Sequence, residues 1–174
     1  MQWLPDVGIR MTAQLCYDGS GLYIRQRAWE QNLRMEETEP LGSICQDSCM
    51  EFFFMPEGDD RYLNFEWNLN GCLCLGIGRG RNDRIRLVPQ KPEELFAFHS
   101  ETDAGGWHLE YRIPLDFLHE FYPSMELRPG LCLRANCFKC GDLTKQEHYL
   151  SWNIVTSAAP DYHRPCDFGK MVFG

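Results

Sequence analysis

The clearest pattern in the chain lies between residues 62 and 69. Leu63, Phe65, Trp67 and Leu69 alternate with Tyr62, Asn64, Glu66 and Asn68. A period of two belongs to a strand with one apolar face, and it predicts burial of that face. Asn70-Gly71 follows at once. It is the preferred pair for a two-residue hairpin turn with positive φ at both central positions. Cys72 to Ile77 is therefore predicted to return antiparallel. The same alternation recurs elsewhere. Leu22, Ile24 and Ala28 oppose Tyr23, Arg25 and Arg27, and Met50, Phe52 and Phe54 oppose Glu51 and Phe53. Trp107, Leu109, Tyr111 and Ile113 oppose His108, Glu110 and Arg112. Leu131, Leu133, Ala135 and Cys137 oppose Cys132, Arg134, Asn136 and Phe138, and Met171 with Phe173 suggests a last strand. Gly58-Asp59-Asp60 reads as a hairpin turn, and so does the glycine-rich Gly76-Ile77-Gly78-Arg79-Gly80, because no helix pattern follows it. One short helix is predicted after Pro114, with Leu115 and Leu118 on its apolar stripe and Pro114 suited to a first turn. Short strands, regular turns and little helix predict an all-β fold, an antiparallel two-sheet β-sandwich of jelly-roll type.

The length of 174 residues suits one domain spanning 1–174. A net charge of −8 argues against a phosphate-backbone partner and against an anionic membrane surface. The local cluster Arg79, Arg81, Arg84 and Arg86 is read as a solvated loop or strand face. No segment reaches the roughly 18 apolar residues of a membrane span. The N-terminal Met-Gln-Trp-Leu-Pro-Asp shows no secretory signal. The nine cysteines are then expected to be reduced thiols in a cytoplasm, unless the sequence has been trimmed of an export signal.

The aromatic content of 13% directs attention to flat ligands, since aromatic faces stack on the C–H face of a sugar ring. Trp67 and Trp107 sit on apolar strand faces and belong to the core. Trp29 falls on the polar face of its strand, and Trp152 lies among His148, Ser151 and Asn153. Glu51, Arg134 and Asn136 stand on polar strand faces, where planar groups could take vicinal hydroxyls or simply face solvent. Cys137-x2-Cys140 has the look of half a zinc site, with Cys45/Cys49 or His163/Cys166 as a second pair. Positions i and i+3 of a continuing strand point to opposite faces, however, so chelation needs a turn after Phe138. No metal ligand and no cofactor is assigned. Structural calcium would need Asp47, Asp18 or Asp59-Asp60 to converge. No catalytic motif is present; Glu51 with Glu110 is the one carboxylate pair weighed for glycoside hydrolysis.

Several segments resemble carbohydrate-binding modules of family 9. Asp47-Ser48-Cys49-Met50-Glu51-Phe52-Phe53-Phe54 is similar to their D-S-x-x-E-x-F strand, and Trp107 to Pro114 to W-x-x-E-x-x-I-P. Gly130 to Phe138 resembles G-x-x-x-R-x-N. Tyr149-Leu150-Ser151-Trp152, His163-Arg164-Pro165 and Asp167-Phe168-Gly169 resemble the closing signature. The resemblance implies a two-sheet sandwich that binds glucans, xylans or simple sugars without transforming them, in some members with structural calcium. It implies that Trp152 and Glu51 lie near the sugar, with Arg134 and Asn136 beside them. Where the family often has an aromatic before the D-S strand, this chain has Ser43, Ile44 and Cys45. Trp29 or Tyr149 is the candidate replacement. The alternative expectation is a structural or protein-interaction sandwich whose sugar site has decayed.

Overall fold

The computed structural model describes residues 2–174. Eleven strands form two sheets: β1 (Arg10–Asp18), β2 (Gly21–Trp29), β3 (Cys49–Pro56), β4 (Tyr62–Asn68), β5 (Leu73–Gly80), β6 (Asp83–Leu87), β7 (His99–Asp103), β8 (Gly106–Pro114), β9 (Cys132–Gly141), β10 (His148–Ser151) and β11 (Gly169–Val172). The smaller sheet runs β1-β2-β8-β7. The larger runs β10-β9-β3-β4-β5-β6, with β11 also paired to β9. Every pairing is antiparallel. The all-β sandwich expected from the alternation is the fold observed. Two short helices occur where one is predicted: α1 (Pro92–Leu95) and α2 (Leu115–His119), the latter directly after Pro114.

The inner faces of the two sheets meet in a continuous core. Met50, Phe52, Phe54, Leu63, Phe65 and Trp67 of the larger sheet pack against Leu22, Ile24, Trp107, Leu109 and Ile113 of the smaller. These are the residues that the period of two assigned to an apolar face. The smaller sheet behaves as predicted on its other face, where Arg25, Trp29 and Glu110 reach solvent.

The larger sheet does not. Every residue of β4 is buried, on both faces. Its outer face forms a second core of Ile44, Phe53, Tyr62, Phe138, Tyr149, Tyr162 and Phe168. Segments 31–48 and 142–168 lie over it, tied together by Asp142 N–H to the Cys45 carbonyl at 2.9 Å and Leu143 N–H to the Gln46 carbonyl at 3.1 Å. The polar residues on this face are thus enclosed rather than solvated, which corrects the expectation of a single buried face.

Two turn expectations also change. The β4–β5 connection is a three-residue loop, in which Gly71 N–H donates to the Asn68 carbonyl at 3.2 Å. Only Gly71 has positive φ there, at 80°. That is a turn followed by a left-handed glycine rather than the two-residue type. Gly76 to Gly80 is not a turn but the end of β5. A Cβ on Gly78 would stand 1.7 Å from the Asp83 carbonyl oxygen. Glycine is required because the β6 backbone closes on it at a register irregularity between Gly78 and Gly80.

Candidate functional site

Alternation along β3 and β4 puts Glu51 and Glu66 on the outer face, and pairing makes them direct cross-strand partners. Across the next strand Cys74 is the register partner of Glu66. The β5–β6 hairpin adds Arg81, Arg84 and Arg86, and the covering segments add Asp142, Tyr149, Asp161, Tyr162 and His163. Together they line a cleft of about 400 Å³. That lies within the roughly 300–1,000 Å³ of small-molecule clefts.

Charges of both signs line it. Glu51 is only 3% exposed, and its Oε1 accepts from the Cys140 Sγ at 3.1 Å. Burial, then the neighbouring Glu66, pushes the Glu51 carboxyl well up. Burial also raises Glu66, with Arg84 pulling the other way from 3.6 Å. Arg84 donates to Asn64 Oδ1 at 3.0 Å, and an Arg86 nitrogen touches Cys74 Sγ. His163 is held neutral, its pKa lowered to about 2 by burial and by the three arginines. Its Nδ1 is 2.9 Å from the Tyr62 hydroxyl. Arg81 bridges to Asp161 at 2.8 Å across the mouth.

The residues singled out in the sequence divide among three places. Glu51 and Tyr149 converge in the cleft. Arg134 and Asn136 share the same sheet face but are consumed in holding the covering loops. Asn136 donates to the Asn153 carbonyl at 2.9 Å and accepts from the N–H groups of Cys137 and Asn153. Arg134 Nε donates to the Phe168 carbonyl at 3.0 Å. Trp152, 53% exposed, borders a separate shallow groove with Met11, Ala13, Leu150 and Met171. Trp29, 41% exposed, lies on the outer face of the smaller sheet beneath the Arg27 guanidinium. Arg84 and Arg86 stand on strand β6 and line the cleft; Arg86 is exposed as expected, whereas the Arg84 side chain is buried. Only the strand assignment of Gly76 to Gly80 could have revealed them, because it brings β6 against β5.

The carboxylate pair weighed for hydrolysis is not a pair. Glu51 faces outward from the larger sheet, while Glu110 pairs with Arg25 on the opposite side of the molecule, on the smaller sheet's outer face. The C-x2-C pair is likewise split, with Cys137 in the inner core and Cys140 in the outer one. β9 continues without a turn after Phe138.

A family model for carbohydrate-binding family 9 matches residues 1–173. The chain belongs to carbohydrate-binding family 9. Its motif strands β3, β8 and β9 are those the resemblance identified. Among solved structures, a candidate carbohydrate-binding protein from Bacteroides uniformis is 27% identical, with a TM-score of 0.82 over 95% of this chain and 79% of that one. A family 9 module from Caldicellulosiruptor kristjanssonii superposes with a TM-score of 0.66 in its glucose complex and in its cellotriose complex. These are 14% and 15% identical, and cover 98% and 97% of this chain and 79% and 77% of that chain. A search of the curated proteins finds no match. The family is one of carbohydrate-binding modules, so this chain is a sugar-binding module of that type.

The oxygen donors that structural calcium would need are already engaged within the protein. The buried Asp47 carboxylate is met by the Arg34 guanidinium, the Glu37 N–H at 2.9 Å and Asn68 Nδ2 at 3.0 Å. Asp18 and Asp59 each close their own hairpin turn, accepting from Ser20 N–H at 2.7 Å and Arg61 N–H at 2.8 Å. Asp60 pairs with Arg79 at 2.7 Å. A cationic side chain already stands against Asp47, and these donors do not form the six-to-eight-oxygen cage that calcium takes.

Proposed function

We propose that the cleft over Glu51 is where this module holds its sugar, and that it binds without turnover. The observation that supports this is the convergence, in one cleft, of Arg84, Arg86, Glu51 and Asp142 beside the Tyr149 and Tyr162 rings. Planar donors and acceptors of both signs suit vicinal hydroxyls, and an aromatic wall suits the C–H face of the ring. The size of the cleft favours one or two sugar residues over a long chain. Binding without turnover is supported by the family, which is one of carbohydrate-binding modules. The family 9 neighbour's glucose and cellotriose complexes make glucose and short β-glucans the first ligands to try.

The test is calorimetry of glucose, cello-oligosaccharides and xylo-oligosaccharides against the native chain and three variants. Arg86→Ala and Tyr149→Ala are expected to weaken binding at least about tenfold, roughly one lost charged hydrogen bond or stacked ring. Trp152→Ala is expected to leave it unchanged. Loss on Trp152→Ala with retention on Arg86→Ala moves the site to the Trp152 groove. Silence across a broad glycan panel from well-folded protein overturns the sugar assignment for this cleft and points to an interaction domain.

A further inference from the structure

At the floor of the cleft Glu51 also belongs to a second cluster, with two cysteines that the sugar reading leaves without a role. Cys49 and Cys140 are direct cross-strand partners on β3 and β9, and both point into the outer core. Glu51 is two residues beyond Cys49, so it projects from the same face. One sulfur from each cysteine and one Glu51 oxygen all lie within 4.8 Å of one another. All three side chains are buried.

We propose that Cys49, Cys140 and Glu51 form a binding site for a thiophilic divalent cation, zinc first, at the base of the cleft. The geometry requires little adjustment. Tetrahedral zinc with Zn–S distances of about 2.3 Å places its donor atoms roughly 3.5–3.8 Å apart. The Cys140 Sγ to Glu51 Oε1 distance of 3.1 Å has to open by about 0.5 Å to enter that range, and the other separations, all within 4.8 Å, need to close by about 1 Å at most. The ligands stand on adjacent strands of a sheet buried on both faces, a more rigid support than a loop. Two sulfurs and one oxygen select zinc or cadmium over calcium or magnesium, which demand all-oxygen shells. Glu51 and Cys140 line the cleft, so the fourth coordination position opens towards it. A water or a ligand hydroxyl can complete the tetrahedron there. Glu66 is the cross-strand partner of Glu51, and Arg84 stands 3.6 Å from it as a nearby positive charge.

The cluster is distinct from the C-x2-C pair, whose two sulfurs face opposite sides of β9. It is also distinct from the exposed Cys16 and Cys166, which offer single thiols.

The test uses the reduced, chelator-stripped full chain titrated with cadmium chloride alone. The readouts are the ultraviolet thiolate-to-cadmium charge-transfer band and competition against a chromophoric chelator. One equivalent is expected to give the band, with zinc displacing cadmium competitively. Cys140→Ala and Cys49→Ala should each abolish that equivalent. Glu51→Gln, which keeps the shape of the side chain and so the fold, should weaken it at least tenfold. A Cys16→Ser/Cys166→Ser double variant should bind as the native chain does. Absence of a one-to-one charge-transfer band in the native protein overturns the proposal. So does a band that survives Cys140→Ala or responds only to the double variant. Glycan affinity plays no part in this readout: lost sugar binding with intact metal binding sinks the sugar assignment and leaves this site standing.

Discussion

The two faces of the larger sheet are built on opposite principles. The inner face is mostly apolar, and its aromatic rings stack: Phe52 on Phe54 at 4.9 Å, Trp67 on Phe98 at 4.3 Å. The outer face buries Glu51, Glu66, Asn64 and Asn136 beside its aromatics. An apolar face contributes stability through area removed from water, whereas a buried polar face contributes little net stability for each hydrogen bond it makes. The inner face is therefore the drier core, and the outer face mixes a second apolar core with buried polar groups.

That division predicts the largest effect on the inner side. Phe52→Ala should cost about 3–5 kcal/mol of unfolding free energy in urea titration, the range for deleting a packed phenylalanine. Glu51→Gln, one residue away on the other face, should cost no more than about 1 kcal/mol, because the amide keeps the shape and the hydrogen-bonding capacity of a carboxyl that burial pushes towards its neutral form. Comparable costs for the two would break the contrast.

The inner face has one polar exception, at its end. Lys139, with no exposed surface, sits 3.0 Å from Glu30 and 2.7 Å from His148 Nε2. Ser48 Oγ and Trp107 Nε1 also donate to Glu30, at 2.9 and 3.1 Å. Removing one partner of a buried pair leaves the other charge uncompensated. Lys139→Met should therefore cost about 3 kcal/mol. The paired variant Lys139→Met/Glu30→Gln should recover part of that loss in the same titration. If the double variant is as unstable as the sum of the two singles, the pair has no coupling and the exception is only apparent.

His148 belongs to the same network. Its Nδ1 donates to the Gln146 carbonyl at 2.7 Å and its Nε2 accepts from Lys139, so the ring is neutral. Burial, then Lys139, lowers its pKa to about 4. A histidine depressed in the folded state contributes stability that is present above its unfolded value of about 6.5 and lost as pH falls towards 4. Glu51 and Glu66 act in the opposite sense: raised carboxyls favour the folded state at lower pH and lose that contribution as pH rises through their folded values. An NMR titration of the His148 ring should show no midpoint above pH 5. A midpoint near 6.5 would falsify the buried neutral assignment.

Much of this was legible in the chain and some was not, for definite reasons. Alternation identified the inner faces of β2, β3, β4, β8 and β9, because inward positions there are mostly apolar, Gln26 and Lys139 being the interruptions. The enclosure of Glu51 and Asn136 is not legible, because a period of two reports that a face is polar, not that segments 31–48 and 142–168 will cover it. Coverage is a property of distant residues. Gly76 to Gly80 reads locally as a turn, and only the closeness of the Asp83 backbone explains its glycines. Because that segment was read as a turn, Arg84 and Arg86 could not be placed in a cleft. The pairing of Cys49 with Cys140 depends on register, which no local pattern supplies.

The smallest predicted effect probes the outer face of the smaller sheet, the surface that did behave as its pattern suggests. Trp29 is exposed there, with the Arg27 guanidinium 5.2 Å above its ring and Arg27 paired to Asp103 at 2.7 Å. Exposed cation–π and ion pairs contribute about 0.5–1 kcal/mol at most. Trp29→Ala should thus lower unfolding free energy by less than about 1 kcal/mol and leave glycan affinity as it was. The affinity half of that prediction carries more information. An exposed tryptophan on a flat sheet is a ready sugar platform, and here it lies across the sandwich from the Glu51 cleft. If Trp29→Ala removed binding while Arg86→Ala did not, recognition would belong to the smaller sheet, and the enclosed polar face of the larger one would need another purpose, of which the Cys49–Cys140–Glu51 cluster is the one its geometry supports.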